Sequence, residues 1–266
     1  MTSALFSPIK LADLQLANRI AVSPMCQYSA NDGVADDWHM THLGMLANSG
    51  ASFLVVEATH VERHGRITHW PTIGPSALPF GPGWHTPRVA TEADMARVRT
   101  AFADAAKRAL RIGFDAVELH FAHGYLLHSW ISPLANKRND EWGGSLASRM
   151  RFPLDVVRAV RAVVPRGVPL GARVTGSDWA DGGLTPDDAV TLGKALVRTV
   201  GMITTAKQAE AIVTEGKADM VALARAFLDN PHWGWRAARA LSADVARPVQ
   251  YQRSAPKLWP GAALRG

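Results

Sequence analysis

Apolar positions in this chain fall into short continuous runs, separated by stretches in which they recur every three or four residues. The runs at 19–22, 52–57, 115–121, 168–174, 198–202 and 218–223 predict strands. The run Ala116–Phe121, so apolar between two helix-like segments, predicts burial on both faces, as in a parallel α/β sheet. The periodic stretches predict those helices. One spans Trp38 to Ser49 and stops at Gly50, a residue suited to a helix end. Another starts at Thr91, which with Asp94 has capping-box spacing, and carries Met95, Val98, Phe102, Ala105, Ala109 and Leu110 on one face. Ser145 caps a third, running to about Val164 and bent or interrupted near Pro153. Thr185-Pro186-Asp187-Asp188 opens a fourth, Thr205 to Glu215 forms a fifth, and Pro231 to Leu241 closes the series.

Strands alternating with helices give an α/β class with a parallel sheet. At 266 residues the length suits one domain of (β/α)8-barrel size, with 1–18 as an apolar lead-in that plugs its bottom and 244–266 as a tail. Six strands leave that barrel two short, and the pattern fails in two places. From His60 to Ala90 there is neither helical period nor strand, an unusual length for a loop in a compact domain. At Leu196–Val197 a helix meets a strand with no turn between them.

Chemistry gathers where strands end. His120, His123 and Tyr125 follow the run Ala116–Phe121, and side chains at the C-terminal ends of barrel strands face the active site. Two imidazoles and a phenol can polarise a carbonyl and deliver a proton, whereas a single strand-end histidine is as readily a hydrogen-bonded core residue. A metal site built on His120, His123 and His128 is disfavoured, because strand positions three apart point to opposite faces and no acidic residue joins them. No metal is expected.

Composition narrows the class further. The net charge of +6 is spread over helix surfaces, which argues against nucleic acid and leaves room for a phosphate group. Cys26 is the single cysteine, so no internal disulfide exists and a reducing compartment is implied. No apolar run reaches membrane-spanning length and MTSALFSPIK is not a signal peptide, so a cytoplasmic protein is expected.

Several longer motifs carry a resemblance. Ser23-Pro24-Met25-Cys26-Gln27-Tyr28, Glu118 to Leu126, Asn136-Lys137-Arg138, Asp140 to Ser145, Val200 to Ile203, Ala224-Arg225 and Pro248 to Arg253 strongly resemble the Old Yellow Enzyme family. The match is to its bacterial class with a cysteine after strand one, which includes the xenobiotic reductases. The resemblance implies a single FMN-binding TIM barrel over 1–266 that takes hydride from NADPH or NADH and reduces the C=C bond of α,β-unsaturated carbonyl compounds. It implies that His120 and His123 hydrogen-bond the substrate carbonyl and that Tyr125 is the proton donor. Tyr28 would bind substrate, and Arg253 would do so from a neighbouring subunit of a homodimer or dimer-based oligomer. Ser23, Pro24, Met25, Cys26 and Ala58 would hold the flavin ring, with Arg173 as its positive neighbour. Gly201, Met202, Ala224 and Arg225 would hold the phosphate.

The chain departs from the family at the two places where its own pattern failed. The family's third and sixth strands find no match, so two strand–helix units are absent, either deleted or omitted. Two other readings stand beside this one: a truncated barrel that binds flavin weakly and is inactive, and another phosphate-binding TIM-barrel enzyme such as a lyase or aldolase.

Overall fold

The structure, a computed structural model, describes residues 3–62, 72–196, 205–255 and 258–259. In chain order the elements are β1 (Ile9–Leu11), β2 (Leu14–Leu16), β3 (Ile20–Val22), α1 (Asp37–Ala47), β4 (Phe53–Leu54), β5 (Ile73–Gly74), β6 (Arg88–Val89) and α2 (Glu92–Arg111). There follow β7 (Val117–Phe121), α3 (Leu126–Ile131), α4 (Leu146–Val163), β8 (Leu170–Val174), α5 (Pro186–Leu196), α6 (Ala206–Thr214), β9 (Val221–Leu223), α7 (Arg225–Asp229) and α8 (Trp233–Ala240). A 3-10 turn, Val249–Ser254, lies in the tail. The chain divides into two compact units, Met1–Leu11 with Gln15–Ala58 and Val200–Gly266, and Ala12–Leu14 with Thr59–Thr199.

In the first unit β3 lies between β4 and β9, parallel to both, with Ala21 opposite Phe53 and Ala222. Ile20, Val22, Leu46, Val221, Leu223 and Phe227 bury around this sheet, together with Leu5 of the lead-in. The lead-in is pinned by one carboxylate. Glu210 on α6 accepts from Ser3 Oγ at 2.6 Å and from the amides of Ala4 and Leu5 at 2.7 and 2.9 Å.

In the second unit β7 and β8 pair in parallel through five positions, from Val117 opposite Leu170 to Phe121 opposite Val174. Strand side chains alternate, and the alternation sorts β7. Val117, Leu119 and Phe121 pack into a core that α2 and α4 complete through Val98, Val156 and Val160. Glu118 and His120 take the other face, beside Gly171 and Arg173. The strand is thus apolar on one side and carries chemistry on the other, rather than buried on both.

Most helix boundaries follow the residues expected of them. Thr91 and Asp94 form the capping box of α2, Ser145 and Thr205 cap α4 and α6, and Gly216 closes α6 at φ +68°. Three expectations are corrected. The second strand shrinks from 52–57 to Phe53–Leu54, with Val55 N–H still donating to Val22 O. The stretch 60–90 contains β5 and β6, which pair in parallel; two residues each are too few to show a period. Helix α4 runs unbroken through Pro153, which is buried, so packing offsets the lost hydrogen bond. Residues 63–71 of the stretch without a pattern, Val197 at the helix–strand junction and the strand at 198–202 lie outside the described residues.

Candidate functional site

Strand β7 ends at Phe121, and the chain then turns through two left-handed residues, His123 at φ +60° and Gly124 at φ +78°. A histidine in that region is uncommon and stays there only when its surroundings hold it. Three backbone bonds do so here. His123 N–H donates to Thr175 Oγ1 at 3.1 Å, Gly124 N–H to His128 Nδ1 at 2.9 Å, and Tyr125 N–H to Ala122 O at 3.2 Å.

The turn overrides the simple strand rule. Residues three apart diverge on a strand, yet the rings of His120 and His123 lie 5.0 Å apart because the strand stops between them. Tyr125 meets His120 edge-on at 5.4 Å. Among the described residues, no group of three His, Cys, Asp or Glu side chains is arranged to hold a metal ion.

The electrostatics keep both imidazoles neutral. Burial pushes the pKa of His120 down to about 4, and the adjacent His123, Arg173 and His128, which could not share a further positive charge, act in the same direction. Burial also lowers His123, followed by Arg173 and His128. Arg173 is half-buried opposite His120 and makes no hydrogen bond or close ion pair among the described residues. Crowding by protein atoms raises the Glu118 carboxyl, which Arg173 partly opposes. His120 Nε2 is buried with no hydrogen-bond partner among the described residues. Buried polar atoms are rarely left so. Two neutral imidazoles, one nitrogen unsatisfied and a phenol alongside can bind a carbonyl oxygen and supply a proton.

Behind the cluster lies a scaffold that the sequence motifs mark without explaining. Asn136 Nδ2 donates to the carbonyls of Trp130 and Trp142 at 2.8 and 2.9 Å. Buried Arg149 donates to Ile131 O at 2.6 Å and to Gly144 O. Arg138 lies over the buried Trp130 ring at 5.4 Å and donates to Ala90 O at 3.1 Å.

In the first unit, parallel pairing brings the ends of β3, β4 and β9 to one edge. Ser23 continues from β3, its N–H donating to Leu223 O at 2.8 Å; Pro24 and Met25 are half-buried, and Cys26 is exposed. Ala58 is exposed beyond β4, and Ala224 with exposed Arg225 follows β9. The Arg225 guanidinium has no ion-pair partner among the described residues. Tyr28 is 89% exposed at φ +56°. Arg253 is exposed in the 3-10 turn. Gly201 and Met202 lie outside the described residues.

Sequence reasoning missed the groups that hold these loops. Glu57 Oε2 accepts from Gln27 N–H at 2.6 Å, and Glu57 Oε1 lies 2.8 Å from His39 Nε2. His39 Nδ1 is 2.7 Å from Asp36, which raises the His39 pKa and lowers that of Asp36. The Asp36–His39 spacing is a cap signature that could have flagged the pair.

Comparison with known proteins supplies the context. The family model described as NADH:flavin oxidoreductase / NADH oxidase matches residues 4–72, 83–197 and 188–244. The NADPH dehydrogenase of Geobacillus thermodenitrificans is 33% identical over 338 aligned positions, covering 95% of this chain and 99% of the relative. That of Bacillus licheniformis is 33% identical, covering 94% and 98%. Morphinone reductase in complex with tetrahydroNAD superposes with a TM-score of 0.75 at 23% identity over 92% of each chain. A 2-naphthoyl-CoA reductase gives 0.79 at 19% identity, over 89% of this chain and 52% of its own. The fold is the α/β TIM barrel of these FMN oxidoreductases, less two strand–helix units. An alignment of 338 positions on 266 residues leaves at least 72 positions without a counterpart here. The family match itself breaks at 72–83 and around 188–197, close to the two places where the sequence pattern fails.

Proposed function

Because the chain belongs to the NADH:flavin oxidoreductase / NADH oxidase family, that of the Old Yellow Enzymes, and is an FMN-dependent NAD(P)H oxidoreductase, we propose that it is an ene-reductase acting on α,β-unsaturated carbonyl compounds. The observation that carries this reading is the convergence of His120, His123 and Tyr125 after β7, with His120 Nε2 buried and unsatisfied.

The residues fit FMN. Arg225, an exposed cation with no ion pair among the described residues, shares a sheet edge with Ser23, Pro24, Met25, Cys26 and Ala58, while Arg173 is a half-buried cation that makes no hydrogen bond or ion pair among the described residues. Ala224 and Arg225, with Gly201 and Met202, would hold the phosphate, and the Ser23–Cys26 segment with Ala58 the ring. Bound FMN supplies the hydride transfer from nicotinamide to alkene. His120 and His123 donate N–H bonds to the substrate carbonyl and stabilise the negative charge that grows on its oxygen during reduction. Neutral imidazoles suit this task, since each keeps one N–H at working pH. Tyr125 delivers the proton to the α-carbon, and exposed Tyr28 contacts substrate.

Changing Tyr125 tests this division of labour. Tyr125→Phe is expected to slow alkene reduction by about 10²–10⁴-fold and to leave flavin reduction by NADPH nearly unchanged, both read by stopped-flow absorbance. Equal losses in the two half-reactions would make Tyr125 a structural residue.

We propose further that 1–266 acts as one FMN-binding domain in the cytoplasm and forms a homodimer in which Arg253 contacts substrate in the neighbouring copy. Among the described residues no helix is long and apolar enough to cross a membrane. The absent alignment positions favour one alternative, a truncated barrel that binds flavin weakly and is inactive.

A further inference from the structure

The turn that carries His123 and Tyr125 hangs on a titratable group. Of its three backbone N–H bonds, those of His123 and Tyr125 go to a hydroxyl and a carbonyl, but Gly124 N–H donates to His128 Nδ1. An imidazole nitrogen that accepts carries no proton, so the neutral ring has its hydrogen on Nε2. That atom lies 3.0 Å from Asp178 Oδ1, a charge contact that falls outside hydrogen-bond geometry, and both side chains are less than a tenth exposed. The other carboxylate oxygen, Oδ2, accepts from Ser132 Oγ at 2.6 Å and from Leu184 N–H at 2.8 Å.

We propose that His128, whose Nε2–H tautomer is set by the Gly124 N–H and favoured by the nearby Asp178 charge, is a positioning residue that fixes the His123–Gly124–Tyr125 turn and thereby aims both side chains at substrate. The inference rests on the reading of His123 and Tyr125 given above. Burial lowers the His128 pKa against the opposing pull of Asp178, which keeps the ring able to accept near neutral pH. The titratable groups facing it are Asp178, beyond β8, and His120 and His123, on β7 and its turn.

The chemistry predicts an unusual response to Asp178→Asn. Leu184 N–H offers only a donor, so the new carboxamide turns its oxygen there and its NH2 toward His128 Nε2. The ring answers by moving its proton to Nδ1, where it opposes Gly124 N–H. Two donors then face each other and the turn loosens. His128→Asn has the opposite character, because an asparagine Oδ1 sits where Nδ1 sat and still accepts from Gly124.

The test is a double-mutant cycle with two readouts. The first is hydrogen exchange of the 121–126 segment in the FMN-loaded protein; the second is the kcat-against-KM split for enone reduction. Asp178→Asn is expected to speed exchange and to lower kcat by about 10²-fold, the scale of an ångström-sized misplacement. His128→Asn should retain protection and most of the rate, and adding Asp178→Asn to it should cost little more. An undiminished Asp178→Asn loss in the His128→Asn background would overturn the proposal and assign Asp178 to Leu184 and Ser132. Unchanged exchange in Asp178→Asn would overturn it as well. If Asp178→Asn fails to fold, His128→Leu, which lacks the acceptor, against His128→Asn carries the same comparison. Tyr125→Phe and His123→Ala run alongside: if neither slows the alkene step, the site reading fails, while exchange still reports on the turn.

Discussion

At the scale of single residues, His120 combines a buried ring nitrogen without a hydrogen-bond partner among the described residues and a pKa held at about 4. Leaving such an atom unpaired costs about 1–3 kcal/mol, an expense that a bound carbonyl or phenolate oxygen removes. His120→Ala is therefore expected to weaken a phenol ligand by about 10–100-fold, the equivalent of one hydrogen bond to a charged group. Titration of flavin absorbance measures it, and an unchanged affinity takes His120 out of the carbonyl site. The same residue leaves a mark on stability. Its folded pKa lies below its ordinary value of 6.5, so the unfolded chain binds the proton first. The wild type should therefore lose stability relative to His120→Asn as pH falls from 6.5 toward about 4, and show no such trend above 6.5. Urea unfolding of the two proteins across that range decides it. His120, His123 and Tyr125 were legible because they crowd one strand end. Glu57, His39 and Asp178 were not, since their roles depend on partners 18 to 50 residues away.

At the scale of elements, the loop from Ser132 to Ser145 shows how a motif can be specific without being catalytic. Its Asn136, together with Arg149 on α4, satisfies carbonyls at the end of α3 and at Trp142 and Gly144. Gly143 is held by space alone, since a Cβ there would come within 2.0 Å of Arg138 O, a backbone atom. Gly143→Ala should cost about 1–3 kcal/mol, the range for forcing atoms into a packed site. Gly44→Ala, in α1 with nothing within 4 Å, should instead gain about 0.5–1 kcal/mol. Urea midpoints that move together would contradict this. The caps at Thr91, Ser145 and Thr205 were readable because each needs only residues three apart. Strand lengths were overestimated, because apolar runs extend past the last ladder bond, as at 52–57 against Phe53–Leu54.

At the scale of the whole molecule, the class was legible from alternating strands and helices, and so were the two interruptions, because an eight-stranded barrel leaves no freedom in its count. What the strand pattern could not reveal is whether 266 residues suffice where the relatives carry at least 72 further aligned positions. The proposed role of Arg253 bears on assembly. Mixing Arg253→Ala subunits with subunits carrying Tyr125→Phe should restore part of the wild-type rate if the arginine serves the neighbouring copy. Rates that merely average would place it in its own subunit. The central claim is tested most directly by anaerobic titration of this 266-residue chain, purified and supplied with FMN. The expected result is a yellow protein bleached stoichiometrically by NADPH and restored by cyclohexenone. A chain that stays colourless with FMN, or a bound flavin that NADPH bleaches but the enone cannot re-oxidise, would contradict it.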